Sequence, residues 1–159
     1  MIPVFSMRIL TQNVKTGTIK VANQTIAQID SGLALFVGFC QGDDQSLIDK
    51  MIDKVLSLRI FADASGKTNL SLQDVDAQLL VIPNFTLYGS VRGGRRPSFI
   101  DALDQTQAKA HYEYLVAVTK QKYPNAAFGV FGADMEISLV NDGPFSLILD
   151  SSDLFGNHK

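Results

Sequence analysis

The sequence contains one cysteine, two histidines and no tryptophan among its 159 residues. A single cysteine excludes an internal disulfide framework, and Cys40 ends the apolar run 32–40, where a thiol usually packs as a small hydrophobic group. His111 falls within a segment of helical spacing and His158 lies in the tail, so the two do not form a set of metal ligands. We therefore expect no disulfide, no metal site and no cofactor.

Long apolar runs and a basic N-terminal segment are also missing. The run 32–40 is less than half of the roughly 20 residues that a membrane-spanning helix needs. Residues 1–6 carry no basic side chain and precede no small-residue cleavage site, which argues against a signal peptide. A net charge of −2 argues against a protein that coats nucleic acid indiscriminately. These absences predict one cytoplasmic domain over residues 1–159.

The stretch IPNFTLYGSVRGGRRPSF, residues 82–99, lacks cysteine, histidine and acidic residues, although its pattern is unusual. An apolar run ends at Pro83-Asn84, resumes as Phe-Thr-Leu-Tyr and then breaks into glycines among arginines. No acidic residue stands between Asp76 and Asp101, so the arginines form a local basic patch. On local sequence alone, such a loop is either solvated surface or a phosphate-binding patch. Its arginines are Arg92, Arg95 and Arg96.

The spacing of apolar residues predicts an α/β protein with the element order β-β-β-α-β-β-α-β-β-β. Residues 32–40 are continuously apolar, which indicates a strand covered on both faces. Apolar residues recur at helical spacing after Asp43-Asp44 and again over 104–122, where Pro124 follows the second helix. We expect a strongly curved, barrel-like β-sheet covered by these two helices.

The remaining strands are placed by short apolar or alternating runs. They are expected near 7–14, 18–29, 58–61, 78–82, 127–131, 135–140 and 145–150. Gly17 and Asn23 are expected to be turns, and the segment ADASGKTN, residues 62–69, is expected to be a loop.

The dipeptide Gly143-Pro144 separates the last two strand-like runs. Proline has no N–H to donate to a ladder, so the pair indicates a strand start, a sheet edge, a bulge or a plain turn. The Gly143–Pro144 peptide bond is also free to be cis, because X-Pro amides favour the trans form only slightly.

Four blocks of the sequence resemble the D-aminoacyl-tRNA deacylase family. They are MRILTQNV (7–14), LRIFADASGKTNLSL (58–72), NFTLYG with GGRRPSF (84–99) and FGADMEISLVNDGPFSLILDS (131–151). The blocks occur in the family's order and cover about residues 7–152. The chain is therefore identified as a member of this family from its motifs.

The resemblance implies a homodimeric hydrolase that removes D-amino acids, and glycine mischarged on alanine tRNA, from the terminal adenosine of tRNA. In the family, a cis Gly-Pro dipeptide reaches from one subunit into the active site of the other and excludes L side chains. Gly143 and Pro144 are expected to form this chiral gate. Asn84 and Phe85 are expected to line the same pocket, and Arg92, Arg95 and Arg96 to contact tRNA phosphates.

The resemblance also explains the missing catalytic side chains in the stretch 82–99. The family has no acid–base triad, and the neighbouring 2′-hydroxyl of the RNA is thought to assist hydrolysis. Main-chain donors could stabilise the developing oxyanion of an ester that is already activated. Thr86 occupies the family's catalytic threonine position, and we expect it to order the site by hydrogen bonding, because no base is evident to activate it.

Three positions near the expected site depart from the family's motifs. Asn13 replaces an arginine that braces the Gly-Pro segment, Pro83-Asn84 replaces Ser-Gln, and Phe145-Ser146 replaces Val-Thr. These changes leave two alternatives open. One is a deacylase of relaxed or reversed chirality that acts on an L-aminoacyl-tRNA, as in a related branch whose Gly-Pro bond is trans. The other is a catalytically silent homologue that binds tRNA.

Overall fold

The computed structural model describes residues 6–156. The strands in this range are β1 (Arg8–Val21), β2 (Gln24–Ile29), β3 (Gly32–Gly38), β4 (Phe61–Ala62), β5 (Thr68–Leu70), β6 (Gln78–Pro83), β7 (Ala126–Phe128) and β8 (Glu136–Asp150). The helices are α1 (Gln45–Ser57), α2 (Gln105–Lys122) and α3 (Ser151–Phe155), and a single 3-10 turn covers Phe85–Tyr88. None of these helices is long and apolar enough to cross a membrane.

The long strand β1 organises the main sheet, which has the order β2-β1-β3-β6-β7 and carries β8 on the other side of β1. On one side, β1 pairs antiparallel with β3 through residues 8–14 and with β2 through residues 17–21. On the other side it pairs antiparallel with β8 from residue 8 to residue 20. The pairs β3–β6 and β6–β7 are parallel, and α1 and α2 supply the crossovers that parallel pairing requires. Because the twisted β1 holds three partners, the sheet curls into a nearly closed barrel.

Two apolar cores stabilise this sheet. The barrel interior contains Val14, Ile19, Ala27, Ile29, Ala34, Leu80 and Ile82. The larger core lies between the outer face of the sheet and the helices, and α1 contributes Ile48, Met51, Ile52 and Val55 to it. The strand β3 is buried along nearly its whole length, because one core covers each of its faces. The sequence prediction of a doubly covered strand is therefore confirmed.

The predicted fold class is confirmed, and both predicted helices form. Asp44 begins α1 by accepting a hydrogen bond from the N–H of Leu47 at 2.8 Å. Asp104 begins α2 in the same way, accepting from two N–H groups of the first turn at 3.1 Å. The added helix α3 is a short element that apolar spacing did not predict, and the side chain of Asp150 caps it.

The prediction of a turn at Gly17 is wrong. This glycine lies inside β1 opposite Ile29, and a Cβ atom at Gly17 would stand 2.8 Å from Cδ2 of Leu80. The glycine allows β1 to pass closely over the barrel interior and does not reverse the chain. The turn at Asn23 is confirmed, and this residue has a φ angle of 64°.

The C-terminal strands also differ from prediction. Segments 135–140 and 145–150 belong to one continuous strand, β8. At its middle, β1 advances by two residues while β8 advances by five, so the extra residues form a bulge. Gly143-Pro144 lies in this bulge, and its peptide bond is cis. Pairing with β1 resumes beyond the bulge, which explains why the strand does not end at the proline.

Smaller differences occur around the hairpin β4–β5. The strand expected at 58–61 is reduced to β4, and part of the expected loop 62–69 belongs to β5. The carboxylate of Asp63 accepts hydrogen bonds from the N–H groups of Ser65 and Lys67 at 2.9 and 3.0 Å. These bonds fold the segment into a hairpin that propensity alone does not indicate.

Candidate active site

A pocket of about 480 Å³ opens beside the carboxyl end of β6. The parallel strands β3, β6 and β7 end at this edge of the sheet, so the segments that follow β6 and β7 lie on either side of the opening. Residues 83–86 form one wall and residues 131–135 form the other. Apolar side chains of the barrel, Phe36, Ile82 and Ile137, form its base.

Thr86 lies on the 3-10 turn that follows β6 directly. Its hydroxyl donates a hydrogen bond of 2.5 Å to Oδ1 of Asn84. The backbone on both sides is also held, because Asn84 N–H donates to Val37 O at 2.7 Å and Gly89 N–H donates to Thr86 O at 3.0 Å. An amide oxygen is not a base, so this contact orients the Thr86 hydroxyl without activating it as a nucleophile.

Tyr88 anchors the turn to the body of the protein. The side chain is buried, and its hydroxyl lies within hydrogen-bonding reach of the carbonyl groups of Ser6 and Gly38. Burial raises the pKa of Tyr88 well above its ordinary value, so the hydroxyl remains a donor. The turn that carries Thr86 is thereby tied to the end of β3.

Arg8 supports the same turn from β1, a role that the sequence analysis missed. Its Nε lies 3.3 Å from a carboxylate oxygen of Asp150, and its Nη1 donates to Leu87 O at 3.1 Å. The guanidinium carbon lies 4.9 Å from the centroid of the Tyr88 ring. A planar guanidinium can make these contacts together, whereas a lysine ammonium cannot. The only available sequence signal was an arginine at the start of the first strand.

The pocket contains no acid–base pair. Among the described residues that line it, Asp134 is the only ionisable one, and it is exposed on the wall 131–135. Gln105, at the start of α2, adds an uncharged amide. No group of three or more histidine, cysteine or acidic residues within 6–156 could hold a metal ion. The protein side chains of this pocket can bind and orient a substrate, but they do not form a proton relay.

The three predicted arginines lie on a loop beside the pocket. Ser90 and Ser98 exchange two backbone hydrogen bonds of 2.8 Å, which close the loop at its base. Phe85, on the pocket wall, contacts Phe99 edge to face with ring centroids 5.2 Å apart. This aromatic contact couples the loop to the pocket. Arg92, Arg95 and Arg96 are all exposed and belong to neither ion pair of the described residues.

A buried carboxyl group with altered acidity lies outside the pocket. Asp43, in the turn after β3, accepts from the N–H of Cys40 at 2.7 Å and leaves its other carboxylate oxygen without a partner within residues 6–156. Burial raises the pKa of Asp43 to about 6. Burial also raises the pKa of the Cys40 thiol, which argues against a nucleophilic thiolate.

Comparison with known proteins identifies the family of this fold and pocket. Residues 10–150 match the family model described as D-Tyr-tRNA(Tyr) deacylase. The chain belongs to this deacylase family. The resemblance seen in the four sequence blocks is therefore confirmed.

The family members that resemble this chain match nearly its full length. A protein of Clostridium tetani named D-aminoacyl-tRNA deacylase is 46% identical over 149 residues, which is 94% of this chain and 100% of the relative. A Myxococcus xanthus protein of the same name is 44% identical over 145 residues, or 91% of this chain and 95% of the relative.

Two solved structures have the same fold. The c-Myc DNA unwinding element binding protein superposes with a TM-score of 0.84 at 30% identity, covering 89% of this chain and 97% of that chain. A probable eukaryotic D-amino acid tRNA deacylase superposes with a TM-score of 0.82. At 16% identity, over 91% of this chain and 99% of that chain, the second comparison establishes the fold alone.

The pocket beside β6 brings together some of the predicted site residues. Asn84, Phe85 and Thr86 line it, whereas Gly143 and Pro144 do not. Those two are exposed in the bulge of β8, and their cis bond is the isomer that the family resemblance implied. Within one chain they do not contribute to the pocket, so any contact with a substrate there has to come from a second copy.

Asn13 stands where the family motif has an arginine, but it does not brace the Gly-Pro segment within this chain. Its side chain is buried, and Nδ2 donates a hydrogen bond of 2.9 Å to Ile60 O. The side chain therefore links β1 to the segment before β4 and makes no hydrogen bond to Gly143 or Pro144. In the described residues, the bulge of β8 lacks the side-chain support that the family motif implies.

Proposed function

We propose that the chain hydrolyses D-aminoacyl-tRNA to a free D-amino acid and tRNA. Membership of the deacylase family over residues 10–150 carries this proposal, together with relatives named D-aminoacyl-tRNA deacylase. In the reaction, water adds to the ester carbonyl and the bond to the ribose oxygen breaks. The ribose oxygen takes up a proton, and the amino acid leaves with its carboxylate.

The chemistry of the pocket is consistent with catalysis by positioning. An aminoacyl ester is already activated, so main-chain donors that stabilise the oxyanion can supply much of the needed help. The N–H groups of Phe85 and Thr86 begin the 3-10 turn and have no carbonyl partner within it, which makes them the candidate donors. The 2′-hydroxyl of the terminal ribose lies beside the ester and assists proton transfer.

The exposed bulge of β8 supports a homodimer with an active site at each subunit contact. Gly143 and Pro144 lie on the sheet's edge strand, flanked by exposed Val140 and Ile148. The partner subunit's Gly143 and the partner subunit's Pro144 cover the pocket, where their main-chain atoms exclude an L side chain by steric clash. Glycine has no side chain, so glycine mischarged on alanine tRNA is also released.

The basic loop gives the RNA a place to bind. Arg92, Arg95 and Arg96 contact phosphates of the acceptor end while the aminoacyl adenosine occupies the pocket. The Phe85–Phe99 contact joins the loop to the wall of that pocket. This substrate places the reaction in the cytoplasm, where aminoacyl-tRNA is made and used.

A deacylation series tests the proposal. D-tyrosyl-tRNA, glycyl-tRNA and L-tyrosyl-tRNA are incubated with the wild type and with Pro144→Ala, and the released amino acid is measured. We expect release from the first two substrates only, with loss of chiral selection in the variant. Release from L-tyrosyl-tRNA by the wild type would instead support a reversed gate. Binding of charged tRNA without any release would support the silent homologue.

A further inference from the structure

A second cleft adjoins the pocket. It has a volume of about 370 Å³ and lies between α2 and the segment that follows β7. Small-molecule sites occupy roughly 300–1,000 Å³, so this cleft has room for a single small group. Phe131 lines both the cleft and the pocket, and thus forms the wall between them.

The walls of the cleft are aromatic and firmly held. The hydroxyl of Tyr112 is buried and donates to Gly129 O at 2.6 Å. The rings of Tyr112 and Phe131 are 6.2 Å apart between centroids. Phe128 also lines the cleft and is partly exposed. The hydrogen bond and the ring contact of Tyr112 therefore hold this segment against α2.

Charged groups of both signs surround the aromatic surface. Lys109 and Glu113 line the cleft one helical turn apart, and both are exposed. The ammonium of Lys120 lies 5.5 Å from the centroid of the Phe128 ring. None of these three belongs to either of the two ion pairs found within residues 6–156. The cleft thus offers one cation, one carboxylate acceptor and a stacking surface, and the ammonium of Lys120 lies beside its lining at Phe128.

We propose that this cleft binds the cytidine that precedes the terminal adenosine of tRNA. The inference depends on the proposed function, which places that adenosine in the pocket on the other side of Phe131. The preceding nucleotide is covalently joined to the adenosine, so it has to lie immediately outside the pocket. Protein sites for unpaired RNA bases commonly combine an aromatic face for stacking, a cation for the phosphate and a hydrogen-bonding group for the base edge.

Each group of the cleft has a role in this binding mode. The cytosine ring stacks on Phe128, while Lys109 and Lys120 lie near the phosphates. The carboxylate of Glu113 accepts a hydrogen bond from the exocyclic amine of cytosine, which is the pairing that acidic side chains favour. A uracil has a carbonyl oxygen at that position and would be repelled. Glu113 therefore distinguishes cytosine from uracil, and the lysines increase the affinity for the RNA phosphates.

Direct binding tests the inference independently of catalysis. Binding of the trinucleotide CCA and of adenosine is measured by calorimetry on the intact protein. We expect CCA to bind at least tenfold more tightly, and Phe128→Ala to remove most of that difference. Phe155→Ala is the matched control, since Phe155 is also partly exposed and has the ammonium of Lys50 at 5.8 Å. Equal affinity for the two ligands would overturn the inference.

Turnover then separates this inference from the proposed function. Phe128→Ala should raise the KM for D-tyrosyl-tRNA about tenfold and leave hydrolysis of D-tyrosyl-adenosine unchanged. The wild type should show a higher KM when uridine replaces the penultimate cytidine, and Glu113→Ala should remove this preference. Equal effects on both substrates would assign Phe128 a structural role and reject the cleft. Tight CCA binding without hydrolysis of either ester would reject the proposed function alone.

Discussion

The 3-10 turn and the bulge of β8 both carry candidate site residues, yet they are supported very differently. The turn is tied down by Tyr88, which is buried, and by Arg8, which contacts Asp150 and Leu87. The bulge is exposed and lacks a side-chain brace at Asn13. One chain therefore fixes the wall proposed to orient the ester, whereas the proposed gate needs a second copy to complete it. The two regions should respond differently to substitution.

The largest effect is expected at the bulge. Gly143 has a φ angle of 137°, and a Cβ atom there would stand 2.7 Å from the nitrogen of Phe145. Gly143→Ala should displace the gate and lower kcat/KM for D-tyrosyl-tRNA about a hundredfold. Gly66→Ala is the control, because Gly66 also has a positive φ, 81°, but lies in the hairpin β4–β5. Similar losses in both variants would show that general strain, and not the gate, is responsible.

The basic loop should show the next largest effect. Replacing Arg92, Arg95 and Arg96 with glutamine should raise the KM for D-tyrosyl-tRNA roughly tenfold to thirtyfold at moderate salt. The salt dependence of tRNA binding should become shallower, because fewer counterions are released on binding. Hydrolysis of D-tyrosyl-adenosine measures the pocket without these phosphates and should not change. An unchanged salt slope would identify the loop as solvated surface.

Within the turn, Thr86→Ala removes the hydrogen bond to Asn84. We expect kcat to fall about tenfold with little change in KM, because the hydroxyl orders the site and does not form a covalent bond. Thr86→Ser keeps the hydroxyl and should recover most of the activity. Equal kcat values for the serine and alanine variants would contradict the proposal that the Thr86 hydroxyl orders the site.

A smaller effect is expected from the support behind the turn. Arg8→Ala removes the contacts to Asp150 and Leu87, and we expect a loss of about fivefold in kcat/KM. Arg8→Lys should not rescue it, because an ammonium cannot reproduce the planar contacts. Arg59→Ala is the control, since the hydrogen bonds of Arg59 go to Asn69 on the hairpin and not to the turn. Equal losses for the two alanine variants would contradict the support role.

The last prediction concerns stability and not activity. The pKa of Asp43 is about 6 in the folded protein, above its unfolded value of about 4, so the folded state holds this proton more tightly. The contribution of Asp43 to stability is therefore greatest in acid and decreases as the pH rises through about 4 to 6. Asp43→Asn cannot ionise, so the melting temperature of the variant relative to the wild type should increase across this window. Parallel melting curves from pH 4 to 8 would contradict the assignment.

Local pattern predicted much of the fold because burial on one or both faces leaves a periodic signal. The continuous apolar run became β3, covered by both cores, and the aspartates before each helical segment became caps. The neighbours Asn84, Phe85 and Thr86, which share one family motif, also line one pocket, and their roles in a site stay a prediction. Residues adjacent in sequence are necessarily adjacent in space.

The one wrong turn and the roles that the sequence analysis missed occur where a residue depends on a distant partner. Gly17 signals a turn in isolation, but its role is set by Leu80 in the barrel interior. Arg8 precedes Leu87 by 79 residues in the chain, and no rule of local spacing connects the two. Phe131 forms a wall shared by two cavities only because α2 packs beside the segment after β7.

The sequence by itself determined the helices, the buried strands and the family motifs, since these depend on periodicity and on the identity of neighbouring residues. The tertiary structure decided that β8 continues through Gly143-Pro144, that Arg8 supports the turn of Thr86, and that an aromatic cleft borders the pocket. The physical reason is that strand pairing and side-chain contacts join residues far apart in the chain. Local propensity reports how an element is buried, but not which other element buries it.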